Sequence, residues 1–362
     1  MRKRTAALLA GAGTALTALY GASVVLIGNK CIDFALVPDK DGKTGRMRKP
    51  DRIGGDLANG SVDEQVRDLV ERNREALFAK RDAWLSTAEV ERVLIKGSED
   101  ASACGCVRDD AHARQRTLGD AVKASFDLAG FIYPAKTASS KWAFLVHGYT
   151  NTHADMEYIA AVYAEQGYNV FAPDLRAHGA SGGDLIGMGW PDRIDILHWL
   201  DYLIERSGED ISIVLHGVSM GAAAACMASG ETLPGQVKAV VSDCAFTDLS
   251  SMLAGQVKKL YGLPRHPVVD DARLMLKARG GYDIKRASAL DQVKKSATPT
   301  LFIHGSSDGF IPPSMARELF EACHAPEKRL LIMAGAGHAL SAQTDPSLYF
   351  KTVFDFLERK MG

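Results

Sequence analysis

Three residues have the types and settings needed to hydrolyse an acyl bond. They are Ser219 in Gly217-Val218-Ser219-Met220-Gly221, Asp308 in His304-Gly305-Ser306-Ser307-Asp308, and His338 in Gly335-Ala336-Gly337-His338. A serine hydroxyl is a poor nucleophile near neutral pH, so it needs a base to take its proton and a third group to orient that base. Ser219 is the expected nucleophile, His338 the base, and Asp308 the carboxylate that fixes the histidine tautomer and stabilises the imidazolium. The glycines around Ser219 have a steric purpose. A sharp turn from strand to helix crowds the backbone, and a serine at its apex points its oxygen into the cleft above a sheet. The oxyanion of the tetrahedral intermediate needs donors too, and the backbone N–H groups of Tyr149 and Met220 are the expected pair. Tyr149 follows His147-Gly148, a loop that glycine loosens.

The elements that must position these residues follow a regular rhythm from Trp142 onward. Trp142–Val146, Asn169–Ala172, Ile211–Leu215, Val237–Val241, Thr300–Ile303 and Arg329–Met333 are nearly unbroken apolar runs, each followed by a helical pattern. Unbroken rather than alternating apolarity means burial on both faces, so the pattern predicts a mostly parallel sheet flanked by helices, a doubly wound α/β fold. Ser219, Asp308 and His338 each follow one of these strands and would emerge at the same sheet edge. Upstream, Val90–Ile95 and Val122–Tyr133 read as further strands, with a polar insertion over 99–117. The main break in rhythm is Leu249–Lys295, helical in pattern and rich in leucine, which reads as a small helical cap over the strand ends.

Asp243, after Val237–Val241, is the rival acid. Asp308 is preferred because glycine precedes it and Phe310-Ile311-Pro312 follow, presenting a loop side chain to a histidine one strand away. Asp243, between Val241, Cys244 and Phe246, suits a buried carboxylate bonded to backbone amides. His147 is read as holding its own loop, and His178, His216 and His304 are likewise structural. Cys226 and Cys244 are read as core packing. Cys104 and Cys106, near Asp109, Asp110 and His112, form a lone C-x-C in a polar loop rather than a paired zinc pattern, so no metal site is assigned. The expected chemistry uses no metal and no organic cofactor.

Among 362 residues, 46% are hydrophobic and 24% charged, ordinary for a globular chain, and a net charge of -1 offers no field for nucleic acid. After Arg2-Lys3-Arg4, the run from Thr5 to Gly28 carries no charged residue. As a helix at about 1.5 Å per residue it would reach roughly 36 Å, enough to cross a hydrocarbon core of about 30 Å. An uncleaved membrane anchor is preferred over a signal peptide cut near Gly21-Ala22-Ser23, because the apolar run continues past that point. The tight basic cluster before it places the N-terminus inside and the catalytic domain outside the cell membrane. Ser61 and Glu64 read as a capping box for a helix carrying Val62, Val66, Leu69, Val70 and Leu77. The expected organisation is an anchor or signal peptide over 1–30, a tether with a membrane-proximal helix over 31–89, and the catalytic domain over 90–362, with its cap at about 249–295.

The region from Val122 to Lys360 resembles the α/β-hydrolase superfamily, and more narrowly bacterial membrane-anchored serine hydrolases akin to monoacylglycerol lipases and carboxylesterases. The residues that carry the likeness are His147-Gly148-Tyr149, Pro173-Asp174-Leu175-Arg176-Ala177-His178-Gly179-Ala180-Ser181, the serine turn, Asp243-Cys244-Ala245-Phe246, Arg279-Gly280-Gly281-Tyr282, Asp308 to Pro312 and Gly337-His338. The resemblance implies hydrolysis of a carboxylic ester or lipid-like substrate through an acyl-enzyme on Ser219. It leaves thioesterase, amidase and peptidase activity open on the same three residues, as well as a non-catalytic binding protein, because this superfamily hosts many chemistries on one scaffold.

Overall fold

Strands β1 (Glu91–Ser98), β2 (Ser125–Tyr133), β3 (Lys141–Val146), β4 (Asn169–Pro173), β5 (Ser212–Val218), β6 (Val237–Asp243), β7 (Thr300–Gly305) and β8 (Lys328–Met333) form one 8-stranded sheet in the order β1-β2-β4-β3-β5-β6-β7-β8. The computed structural model describes residues 64–98, 125–361 and, apart from Cys31 and Phe34, 29–38. β3 to β8 run parallel, as their unbroken apolarity predicts, while β1 pairs antiparallel with β2, and β2 with β4. That edge pairing is absent from the sequence rhythm, because register between distant strands leaves no local mark.

Alternate side chains of the sheet feed two apolar cores. Trp142, Phe144 and Val146 of β3 join one core, and Ala143 and Leu145 join the other. In chain order the helices are α1 (Glu64–Leu85), α2 (Glu157–Glu165), α3 (Asp192–Ser207), α4 (Met220–Ser229), α5 (Leu249–Tyr261), α6 (Val268–Gly280), α7 (Ala289–Val293), α8 (Pro313–Ala322), α9 (Ser341–Thr344) and α10 (Pro346–Leu357). Residues of α3, α4, α7 and α8 fill the first core, and residues of α1, α2 and α10 fill the second. Helices α5 and α6, inserted between β6 and β7, occupy the stretch whose pattern breaks the strand rhythm. Asp248 caps the start of α5 by accepting from the Ser251 N–H, and Gly262 and Gly281 close the two helices in left-handed backbone.

Helix α1, grouped by its sequence with the tether, packs on the hydrolase body. Leu77 is buried in the second core, Phe78 and Trp84 lie against Tyr158 and Tyr133, and the Asn73 side chain donates to the Thr344 carbonyl at 3.1 Å. None of the described helices is long and apolar enough to cross a membrane. The Thr5–Gly28 run, Ser61 of the capping box, the 99–117 insertion and the Cys104, Cys106 group lie outside the described residues.

Candidate active site

The turn between β5 and α4 is built from close backbone approaches. A Cβ on Gly217 would lie 2.3 Å from the Gly221 carbonyl oxygen, and one on Gly221 would lie 2.1 Å from that of Val146, so only glycine fits at either position. Ser219 sits between them at φ 56°, a left-handed conformation that a serine adopts only where its surroundings over-determine it. Its N–H donates to the Asp243 carbonyl at 2.8 Å, which ties the apex to the end of β6.

The structure brings the three predicted side chains together. Ser219 Oγ lies 2.8 Å from His338 Nε2, and His338 Nδ1 lies 2.8 Å from Asp308 Oδ2. A hydrogen on Nδ1 donated to the carboxylate leaves Nε2 to accept the serine hydroxyl. The other oxygen of Asp308 accepts the Phe310 and Ile311 N–H groups at 2.9 and 2.8 Å. Burial alone would raise the Asp308 pKa, but hydrogen bonds from His304 and His338 outweigh it and hold the carboxyl well below the ordinary range. Phe310 leans on the His338 ring with centroids 4.9 Å apart.

Asp243 is elsewhere engaged. It is the last residue of β6, and its carboxylate accepts from the hydroxyls of Ser341, at 3.0 Å, and Tyr349, where backbone amides were expected. Burial pushes its pKa up to about 6.

The Gly148–Tyr149 backbone lies over the serine, since a Cβ on Gly148 would lie 3.4 Å from Ser219 Cβ. The Tyr149 and Met220 N–H groups have no protein acceptor among the described residues. His147 holds this loop as its sequence suggests, with Nδ1 donating to the Gly148 carbonyl at 2.8 Å and Nε2 accepting the Leu175 N–H at 2.9 Å. Burial lowers its pKa to about 3, so it stays neutral. His178 reaches the Arg176 carbonyl and the Thr150 N–H, and His216 bridges the hydroxyls of Tyr163 and Tyr349.

His304 has a part that sequence reasoning missed. Its Nε2 lies 3.1 Å from Asp308 Oδ2 and 2.9 Å from the Ile311 carbonyl, so it adds a second histidine contact to the carboxylate oxygen that His338 also meets. The signal was present in its spacing, near the end of β7 and four residues before Asp308 in the loop that follows. Cys244 shares a cluster with Asp308 and His338, whose ligand-type atoms lie within 4.8 Å of one another. Burial raises the Cys244 thiol well above its ordinary pKa, and the histidine and aspartate already bond each other, so this set does not fit a metal.

Ser219 and Met220 line an apolar cavity of about 490 Å³. Its other walls come from Tyr149, from Leu253 and Val257 of α5, from Leu276 of α6, and from Phe310. A second missed contribution comes from the N-terminal side, where Ile32, Ala35 and Leu36 also line it.

The sheet order, the strained serine turn and the strand-end loops define an α/β-hydrolase. Within that class, this chain belongs to the prolyl oligopeptidase family, whose sequence profile matches residues 154–362. It is 32% identical over 235 residues to the protein YqkD of Bacillus subtilis (strain 168), covering 64% of this chain and 76% of that one. It is 24% identical over 234 residues to a carboxylesterase of the same organism, covering 60% of this chain and 93% of the relative. A solved esterase from Pyrococcus furiosus shares the fold with a TM-score of 0.57 and 23% identity, over 76% of this chain and 94% of that one.

Proposed function

We propose that this protein is a serine esterase that hydrolyses carboxylic esters with an apolar acyl group. The observation that carries the reading is the unbroken relay from Ser219 through His338 to Asp308, opening on an apolar cavity. His338 Nε2 takes the hydroxyl proton as Ser219 Oγ bonds to the ester carbonyl carbon, and Asp308 stabilises the imidazolium that forms. The Tyr149 and Met220 N–H groups hold the oxyanion. When the carbonyl re-forms, the alkoxide leaves with the proton from His338, and the acyl group stays on Ser219. Water, deprotonated by the same histidine, then releases the carboxylic acid and restores the serine.

The walls favour an ester over a peptide. A peptide carries amide donors and acceptors that must find partners once buried, each at a cost of about 1–3 kcal/mol if unpaired. Of the described residues around this cavity only Lys30 is charged, and Gln256 alone carries an amide. The relative named as a carboxylesterase agrees with this reading, whereas the family's own name keeps peptidase activity as the second reading. The proposal includes membrane anchoring through Thr5–Gly28, with the catalytic domain outside the cell, supported by the charge-free run and its basic flank alone.

Fluorophosphonate labelling tests the mechanism. Wild-type protein should label and hydrolyse p-nitrophenyl esters faster than matched thioesters or peptide anilides. Ser219→Ala should fold, judged by circular dichroism, yet neither label nor turn over. Labelling of the alanine variant would remove Ser219 from its role, and faster anilide cleavage would favour the peptidase reading.

A further inference from the structure

The cavity is closed on one side by chain that precedes the hydrolase body. Ile32 and Leu36 are 3% and 1% exposed and belong to the same apolar core as the sheet. Three separate parts of the fold hold the segment in place. The Tyr149 hydroxyl donates to the Ala35 carbonyl at 2.6 Å, the Ile186 N–H donates to the Leu36 carbonyl at 2.8 Å, and Arg279 of α6 pairs with Asp33 at 2.7 Å. Burial pushes the Tyr149 hydroxyl up to about 12, so it remains a donor throughout the working range. A segment merely passing over the surface would not bury two large aliphatic side chains and bond through consecutive carbonyls.

We infer that the described residues of segment 29–38, above all Ile32, Ala35 and Leu36, form a fixed wall of the acyl site and set the length of acyl chain that the enzyme accepts. The inference rests on the esterase reading above and adds a specificity determinant to it. Ile32, Ala35 and Leu36 line the cavity that begins at Ser219, so an acyl chain bound to the serine grows towards surfaces that this segment helps to close. Each methylene sheltered there is worth about 0.8 kcal/mol, or roughly fourfold in kcat/KM. A chain too long for the closed space meets a wall anchored by hydrogen bonds. Selection by length therefore depends on the volume at positions 35 and 36.

Two substitutions move that volume in opposite directions. Leu36→Ala enlarges the space and Ala35→Phe fills it. With the purified full chain and p-nitrophenyl esters from acetate to dodecanoate, the ratio of kcat/KM for dodecanoate to that for hexanoate should rise about fivefold in Leu36→Ala and fall by about as much in Ala35→Phe, the worth of one to two methylenes. Opposite shifts separate selection from general damage, and Ala35→Phe alone decides the matter if Leu36→Ala does not fold. Ester turnover with an unmoved chain-length profile would overturn the wall and leave the esterase reading standing. Absence of ester turnover in the wild type would overturn both.

Discussion

Asp243 ends β6 and Asp308 lies in the loop after the adjacent strand β7, yet their surroundings give them opposite electrostatics. Asp308 is surrounded by donors and held ionised, whereas Asp243 faces hydroxyls within apolar packing and its pKa is raised to about 6. On the proposed mechanism the acid role falls to Asp308, and Asp308→Asn should lose about 10⁴-fold in kcat, or roughly 5.5 kcal/mol, while Asp243→Asn loses far less. The reverse ranking would transfer the role. The pH dependence of stability gives an independent check. A depressed carboxyl contributes stability that is present above its unfolded pKa of about 4 and lost as pH falls through the folded value. A raised one contributes stability that is present below about 4 and lost as pH rises through the folded value. Relative to wild type, Asp243→Asn should therefore gain stability as pH rises from about 4 to 6 and hold that gain above, measured by urea unfolding. A gain that shrinks over that interval would contradict the burial that raises the Asp243 pKa.

At the level of elements, the serine turn and helix α1 show how packing distributes function. The turn works because β3, β5 and α4 approach within glycine distance, which fixes Ser219 beneath the Gly148 loop. Helix α1 lies on the opposite face of the sheet from α4 and shares the second core with α2 and α10. It also meets α9 through Asn73 and Thr344, and α9 begins three residues after His338, with Ser341 bonded to Asp243. Helix α1 thus backs the loop that carries His338. Leu77→Ala should lower the unfolding free energy by about 2–5 kcal/mol, the usual cost of a large-to-small change in a core. A change under 0.5 kcal/mol, typical of an exposed site, would return this helix to the tether.

At the scale of the whole molecule, the cavity at Ser219 joins the hydrolase body to the segment that follows the charge-free run. Asn29 comes directly after Thr5–Gly28 and Arg279 bonds both Asn29 and Asp33, so a membrane-embedded run would hold the cavity close to the bilayer surface. The full chain is expected in the membrane fraction and should resist carbonate extraction, and release by carbonate would refute the anchor. Much of this protein was determined locally. Apolar runs with no polar alternation specify strands buried on both faces, and glycines flanking a serine after such a strand specify a strained turn, because both effects act between near neighbours in the chain. The order Ser219, Asp308, His338 was legible for the same reason, each residue standing at a strand end. Only the tertiary structure decided what depends on contacts between distant residues. It put β1 and β2 antiparallel at the sheet edge, gave Asp243 the hydroxyls of Ser341 and Tyr349, brought α1 into the second core, and set Ile32, Ala35 and Leu36 against the cavity. Burial and hydrogen-bond partners are properties of the folded surroundings, and no spacing in the sequence encodes which distant surface a side chain will meet.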